Sequence, residues 1–151
     1  MSVWFEGNIE IDCNIKQVKL ALKSIGEFYA GIIGLMPGLK SAELTEEGSN
    51  FVVIKTDEGH MTRANMKQRI DDRSVVVEFD EEYRAKTMVT TKAYFVDEFT
   101  TSGKGVKYHT TISDLESTGL MGFFYGKFGA SKTGNAFLAA CKKYLENLKP
   151  D

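Results

Sequence analysis

The sequence is poor in the residues that punctuate, bridge or ligate. It has two prolines, and Pro37 is the only one before the penultimate residue. Proline breaks helices and central strands alike, so long elements can run on either side of one corner. The two cysteines, Cys13 and Cys141, show neither a CxxC pattern nor metal-ligand spacing. They read as reduced thiols, and neither a disulfide nor a metal is expected. The two histidines, His60 and His109, come without an HExxH or GxSxG motif, and no cofactor is expected. Basic charge is not in excess: the formal net charge is -2 and the pI about 5.8. That argues against nucleic acid as a partner, because phosphate recognition needs a basic surface. No run approaches the ~20 apolar residues of a membrane span. The opening MSVWFEGNIEID holds no basic segment or apolar signal core, and the closing LENLKPD holds no apolar anchor. The expectation is a cytoplasmic chain without a membrane anchor.

What is present is the material of a globular core. Hydrophobic residues make up 42% and charged residues 26% of 151 positions, enough for one domain over residues 1–151. A chain of this length buries roughly 70% of its unfolded surface. Val3, Phe5, Gly7, Ile9 and Ile11 alternate with polar neighbours and predict a strand. Asn14 is a cap for a helix over 15–25, in which Ile15, Val18, Leu22 and Ile25 fall on one face. Gly26 is expected to interrupt it, with a second short helix ending near Gly34. Met36-Pro37-Gly38 then makes a turn.

From Lys40 on, turn signals recur at 46–50, 57–59, 71–73, 81–84 and 102–105. The Val-, Thr- and aromatic-rich runs between them predict antiparallel hairpins, with strands near 40–47, 50–57, 60–70, 74–81, 86–101 and 105–116. Strict alternation places Arg63, Lys67 and Arg69 on one solvated face, opposite Glu78 and Asp80. His109 falls on a solvated face too. Residues 119–149 read as helical, with Leu138, Cys141, Leu145 and Leu148 forming a stripe in the second half. The first half, GLMGFFYGKFGASKTGN, is rich in glycine and aromatics. Within it GKFGASKT nearly fits a phosphate-binding loop, but Ser131 replaces a required glycine and the preceding strand is antiparallel. The segment GIIGLMPGLKSA, residues 31–42, is apolar and glycine-hinged where polar turn residues are usual.

The order strand, two short helices, six antiparallel strands and long C-terminal helix resembles the START-like (SRPBCC) superfamily. Within it the chain is similar to the branch that joins a carbon-monoxide-dehydrogenase accessory family with polyketide-cyclase-like proteins. That likeness rests on FEGNIEID at 5–12, the helix with Val18, and LMPGLKSAEL at 35–44. The resemblance implies an α+β helix-grip fold, a seven-stranded sheet curled around the last helix with a cavity between them. GIIGLMPG would then be a rim or lid, or else a packed corner filling the core. The expected ligand is a small hydrophobic molecule: a lipid, polyketide or aromatic metabolite. Its walls would come from Met66, Val77, Phe79, Phe95, Tyr108, Phe124 and Phe128, its lid from Ile33, Leu35 and Met36. Tyr108, Ser131 and Asn135 would orient it. A cyclase or dehydratase using Tyr108 with Gln68 or Asn135 is the alternative, with no general base evident. A third reading is a protein-interaction module like the START-like activators of a chaperone ATPase, as a monomer or homodimer.

Overall fold

Strand and helix signals along the chain become elements in the expected order in the computed structural model, which describes residues 2–148. Within 119–128 the side chains of residues 120, 121, 123 and 124 are not described. Strand β1 (Val3–Ile11) leads into helix α1 (Ile15–Ala21), a 3-10 turn (Leu22–Ser24) and helix α2 (Ile25–Ile33). Strands β2 (Ala42–Glu47), β3 (Val52–Thr56), β4 (Gly59–Ile70), β5 (Ser74–Ala85), β6 (Thr90–Ser102) and β7 (Gly105–Ser117) follow. Helices α3 (Gly119–Phe128) and α4 (Ala130–Asn147) close the fold. The sheet is antiparallel throughout, in the order β1-β7-β6-β5-β4-β3-β2. It is α+β, curled about α4, with α1 and α2 carrying the chain from one sheet edge to the other.

Local chemistry explains the joints. Asn14 caps α1 with a reciprocal box: its Oδ1 accepts from the Gln17 amide at 2.9 Å and its own amide donates to Gln17 Oε1 at 2.8 Å. The helix tightens at Leu22–Ser24, four residues before the expected break at Gly26, which lies inside α2. Gly26 is there for space. A Cβ on it would collide with Leu44 and Glu47 of β2, and its amide donates to Glu47 Oε2 at 2.9 Å. The C-terminal segment divides at Gly129, whose amide donates to Tyr125 O at 2.7 Å. The α4 stripe then buries Leu138, Cys141 and Leu145.

Two strand expectations need correction. EEYR at 81–84 is not a turn: β5 runs on to Ala85, and the chain reverses over 86–89. Glu81 and Tyr83 continue the inward alternation of Val75, Val77 and Phe79, pairing with Arg63 and Met61. Arg63 does not share a face with Lys67 and Arg69. The β4–β5 register steps from Ala64↔Asp80 to Lys67↔Glu78, one extra residue on β4, with Asn65 at φ 54°. Such a bulge inverts facing on either side. Lys67 still meets Glu78 on the outer face, whereas Arg63 points into the core and is 2% exposed.

The inner face is filled by rings. Phe79 stacks on Phe95 at 5.1 Å and Phe99 on Tyr108 at 4.8 Å, while Phe28 meets Phe99 edge-on at 6.1 Å. Behind them Asp97, 2% exposed, accepts hydrogen bonds from Tyr29 (2.8 Å), Tyr108 (2.9 Å) and Thr110 (2.8 Å). Burial and the Asp97 charge hold both phenols well above their ordinary pKa. His109 sits half-buried on the outer face, with Nε2 3.1 Å from Glu6 Oε2.

Candidate functional site: a cavity under the corner

The apolar corner is built as a cap. Helix α2 runs out through Leu35 N–H to Ile32 O and Met36 N–H to Ile33 O, both 3.0 Å. Pro37 stops it, and Gly38 turns the chain at φ 86°, a conformation that favours glycine. Asp57 Oδ1, in the β3–β4 turn, then accepts the amides of Lys40 at 2.9 Å and Ser41 at 3.1 Å. These two bonds hold the corner to the sheet. They also hold the Asp57 carboxyl below its ordinary pKa. The tether's contribution is thus present above the unfolded pKa and is lost as pH falls through the lower folded one. The Lys40 and Ser41 amide resonances should therefore titrate with a midpoint below that of an ordinary aspartate. Asp57→Ala should remove that titration; a shift unchanged by the substitution would place the tether elsewhere.

Beneath the corner lies a cavity of about 370 Å³. Ile33, Met36, Pro37 and Leu39 form its rim. Met61, Glu81, Tyr83 and Ala85 form the sheet side, Thr87, Val89 and Thr91 the β5–β6 connection, and Tyr125, Thr133 and Phe137 the helical side. The walls are mostly apolar, with polar groups at few points, the usual composition of a small-molecule site. A larger concavity, about 850 Å³, lies on the outer face of the sheet among His60, Asp80, Glu82, Arg84, Lys92 and Tyr94. It is open and charged, and does not suit an apolar ligand.

The polar groups of the inner cavity are distinct in role. Tyr83 shares a hydrogen bond of 2.9 Å with Thr56 Oγ1. Burial raises the pKa of Tyr83 and Tyr125, so both stay protonated and able to donate. Glu81 is held by Arg63, whose Nε and Nη2 donate to Oε2 at 3.1 and 2.8 Å. Burial raises the Glu81 pKa; the Arg63 charge and hydrogen bonds oppose that. Among the described residues no group of His, Cys, Asp and Glu is arranged to hold a metal.

The residues singled out from sequence are dispersed over this architecture. Ile33 and Met36 line the cavity. Leu35 and Met66 are half-buried and pack on the core. Val77, Phe79, Phe95 and Tyr108 lie in the packed ring layer, with the Tyr108 hydroxyl committed to Asp97. Phe128 is 69% exposed, and Ser131 and Asn135 lie on an exposed face of α4. The Phe124 side chain is outside the described residues. Sequence reasoning passed over Glu81, Tyr83, Tyr125, Thr133 and Phe137. Thr133 and Phe137, one helical turn apart, face inward two residues on from Ser131 and Asn135. A signal existed for Glu81: a carboxylate in register with Val75, Val77 and Phe79.

No protein-family model matches the chain. No curated protein matches it either. Solved structures do. A STAR-related lipid transfer protein from Xanthomonas axonopodis superposes with a TM-score of 0.59 at 13% identity, over 94% of this chain and 85% of the other. The Aha1 dimer from Colwellia psychrerythraea gives 0.60 at 13% identity, over 99% and 100%. Protein Ms6760 from Mycobacterium smegmatis gives 0.62 at 9% identity, over 96% and 91%. Among the described residues no helix is long and apolar enough to cross a membrane. Seven antiparallel strands curled about α4, and this likeness, establish the START/SRPBCC helix-grip fold for the chain.

Proposed function

We propose that the chain binds a small, largely apolar molecule in the cavity beneath the corner. The observation that carries this is the lining itself: a hydrophobic rim over about 370 Å³ of space, with polar groups gathered at few points. That volume falls within the range of known small-ligand pockets. The shared fold with a lipid transfer protein supports the same reading. The deeper part of the sheet–helix interface is packed with rings, so the ligand occupies only the end under α2 and α3.

The neutral probe N-phenylnaphthylamine, which brightens in apolar surroundings, tests the proposal. Its emission should rise saturably with protein. Ala85→Trp, which fills the cavity from β5, should weaken binding by at least about tenfold while leaving the circular dichroism intact. The sole tryptophan, Trp4, packs on Tyr125 of the cavity wall at 5.3 Å, so its emission should change in parallel in the wild-type protein. Probe binding unaffected by Ala85→Trp would place the ligand elsewhere.

One observation favours a second reading, an enzyme using the same space. Acid–base chemistry needs a carboxyl with a raised pKa beside the substrate, and Glu81 is buried, raised and on the cavity wall. Turnover abolished by Glu81→Gln with probe binding retained would support catalysis. Retained turnover would remove Glu81 from the chemistry.

A further inference from the structure

The polarity of the Glu81–Arg63 pair says which end a ligand meets. Glu81 points inward with its register partner Arg63. Both bonds from Arg63 end on Oε2, and Oε1 accepts none among the described residues. No fully buried side-chain polar atom among those residues lacks a partner. Oε1 is therefore open to solvent, and the space Glu81 borders on its inner side is the cavity. Arg63 is not open in the same way. Its guanidinium is boxed by the rings of Tyr29, Phe79, Phe95 and Phe137, at 4.7, 4.5, 5.0 and 5.8 Å. It does not line the cavity, and it is 2% exposed. Asp97 adds a second negative charge acting on Glu81 from behind.

We infer that the cavity selects apolar molecules whose polar end is a hydrogen-bond donor, a protonated amine best of all, and rejects carboxylates. This rests on the cavity reading above. A buried arginine would ordinarily argue for an anionic ligand, since its fork suits carboxylates. Here the rings and Glu81 have taken that fork, and an incoming carboxylate would face Oε1 with like charge. An ammonium would face it with opposite charge in surroundings largely sheltered from water, where such a bond is strongest.

Calorimetric titration with naphthylethylamine and naphthylacetate, similar in ring and length, separates the cases. The wild-type protein should bind the amine at least about tenfold more tightly than the acid, the scale of one charge-assisted hydrogen bond. Ala85→Trp should weaken both. Glu81→Gln should bring the two affinities together. Should unpaired Arg63 impair its folding, the double variant Arg63→Met/Glu81→Gln tests the same expectation. Equal affinities in the wild type, or a tighter acid, with both probes lost in Ala85→Trp, would overturn the donor-end inference and leave the cavity standing. Failure of both probes and of N-phenylnaphthylamine to bind, or binding indifferent to Ala85→Trp, would overturn the cavity reading and this inference together.

Discussion

Arg63→Ala should lower the stability of the protein by about 3–5 kcal/mol, the usual cost of removing one partner from a buried ion pair. The residue is 2% exposed and its two bonds are those that hold Glu81 at 9% exposure. Its loss strands a carboxylate in the core and empties a box walled by four aromatic rings. The cause can be separated from simple truncation. Arg63→Met/Glu81→Leu removes both charges and keeps volume, so it should recover most of the loss, because the desolvation cost disappears with the pair. Urea denaturation of the three proteins decides it. A double variant no more stable than Arg63→Ala would show that ring packing, not the charge, sets the cost. A sequence reading that put Arg63 in solvent would expect an effect near zero for the same substitution.

Asp97→Ala should be comparably damaging, by about 3 kcal/mol or more. Three hydroxyls converge on this carboxylate, and hydrogen bonds to a charged acceptor contribute roughly 1.5–3 kcal/mol each. The side chain is 2% exposed, so the donors of Tyr29, Tyr108 and Thr110 would be left without water to replace it. Asp97→Asn keeps one oxygen for Tyr108 and Thr110 while its amide can donate to Tyr29, so it should cost about 1–2 kcal/mol. The network also sets an alkaline limit. Tyr29 and Tyr108 keep their protons well above the ordinary phenol value of 10.0. Their contribution is thus fully present below about pH 10 and is lost as pH rises toward the folded values, because the unfolded phenols ionise first. Stability followed from pH 8 to 11 should fall in the wild type. Equal slopes in wild type and Asp97→Ala would assign the alkaline loss to other groups.

The two substitutions mark the limit of what periodicity conveys. Alternation in Val75-Val77-Phe79 and the heptad-like stripe of α4 were legible because each needs only neighbours along the chain. The Asn14 cap and the Pro37 corner were legible for the same reason. The face of Arg63 was not, because a single extra residue at Asn65 inverts the parity of everything before it, and no residue type announces a bulge there. Glu81 was misplaced for a related reason. A run of EEYR has turn composition, yet its first and third residues continue an inward face that only pairing with β4 reveals.

The sequence by itself determined the element order, the antiparallel hairpins, the corner at Met36–Gly38 and the apolar face of α4. All of these follow from local spacing, turn chemistry and the burial of one face. Tertiary structure alone decided where space remains between sheet and helix. A filled and a hollow interior use the same apolar residues, and the difference lies in how far α2, α3 and α4 stand from β4 and β5. It also decided that Thr133 and Phe137, not Ser131 and Asn135, face that space, since a shift of two residues turns a helix by more than half a revolution. And it decided which pole of a buried ion pair looks into the cavity. That pole depends on ring packing around Arg63 from four separate elements, which no stretch of sequence brings together.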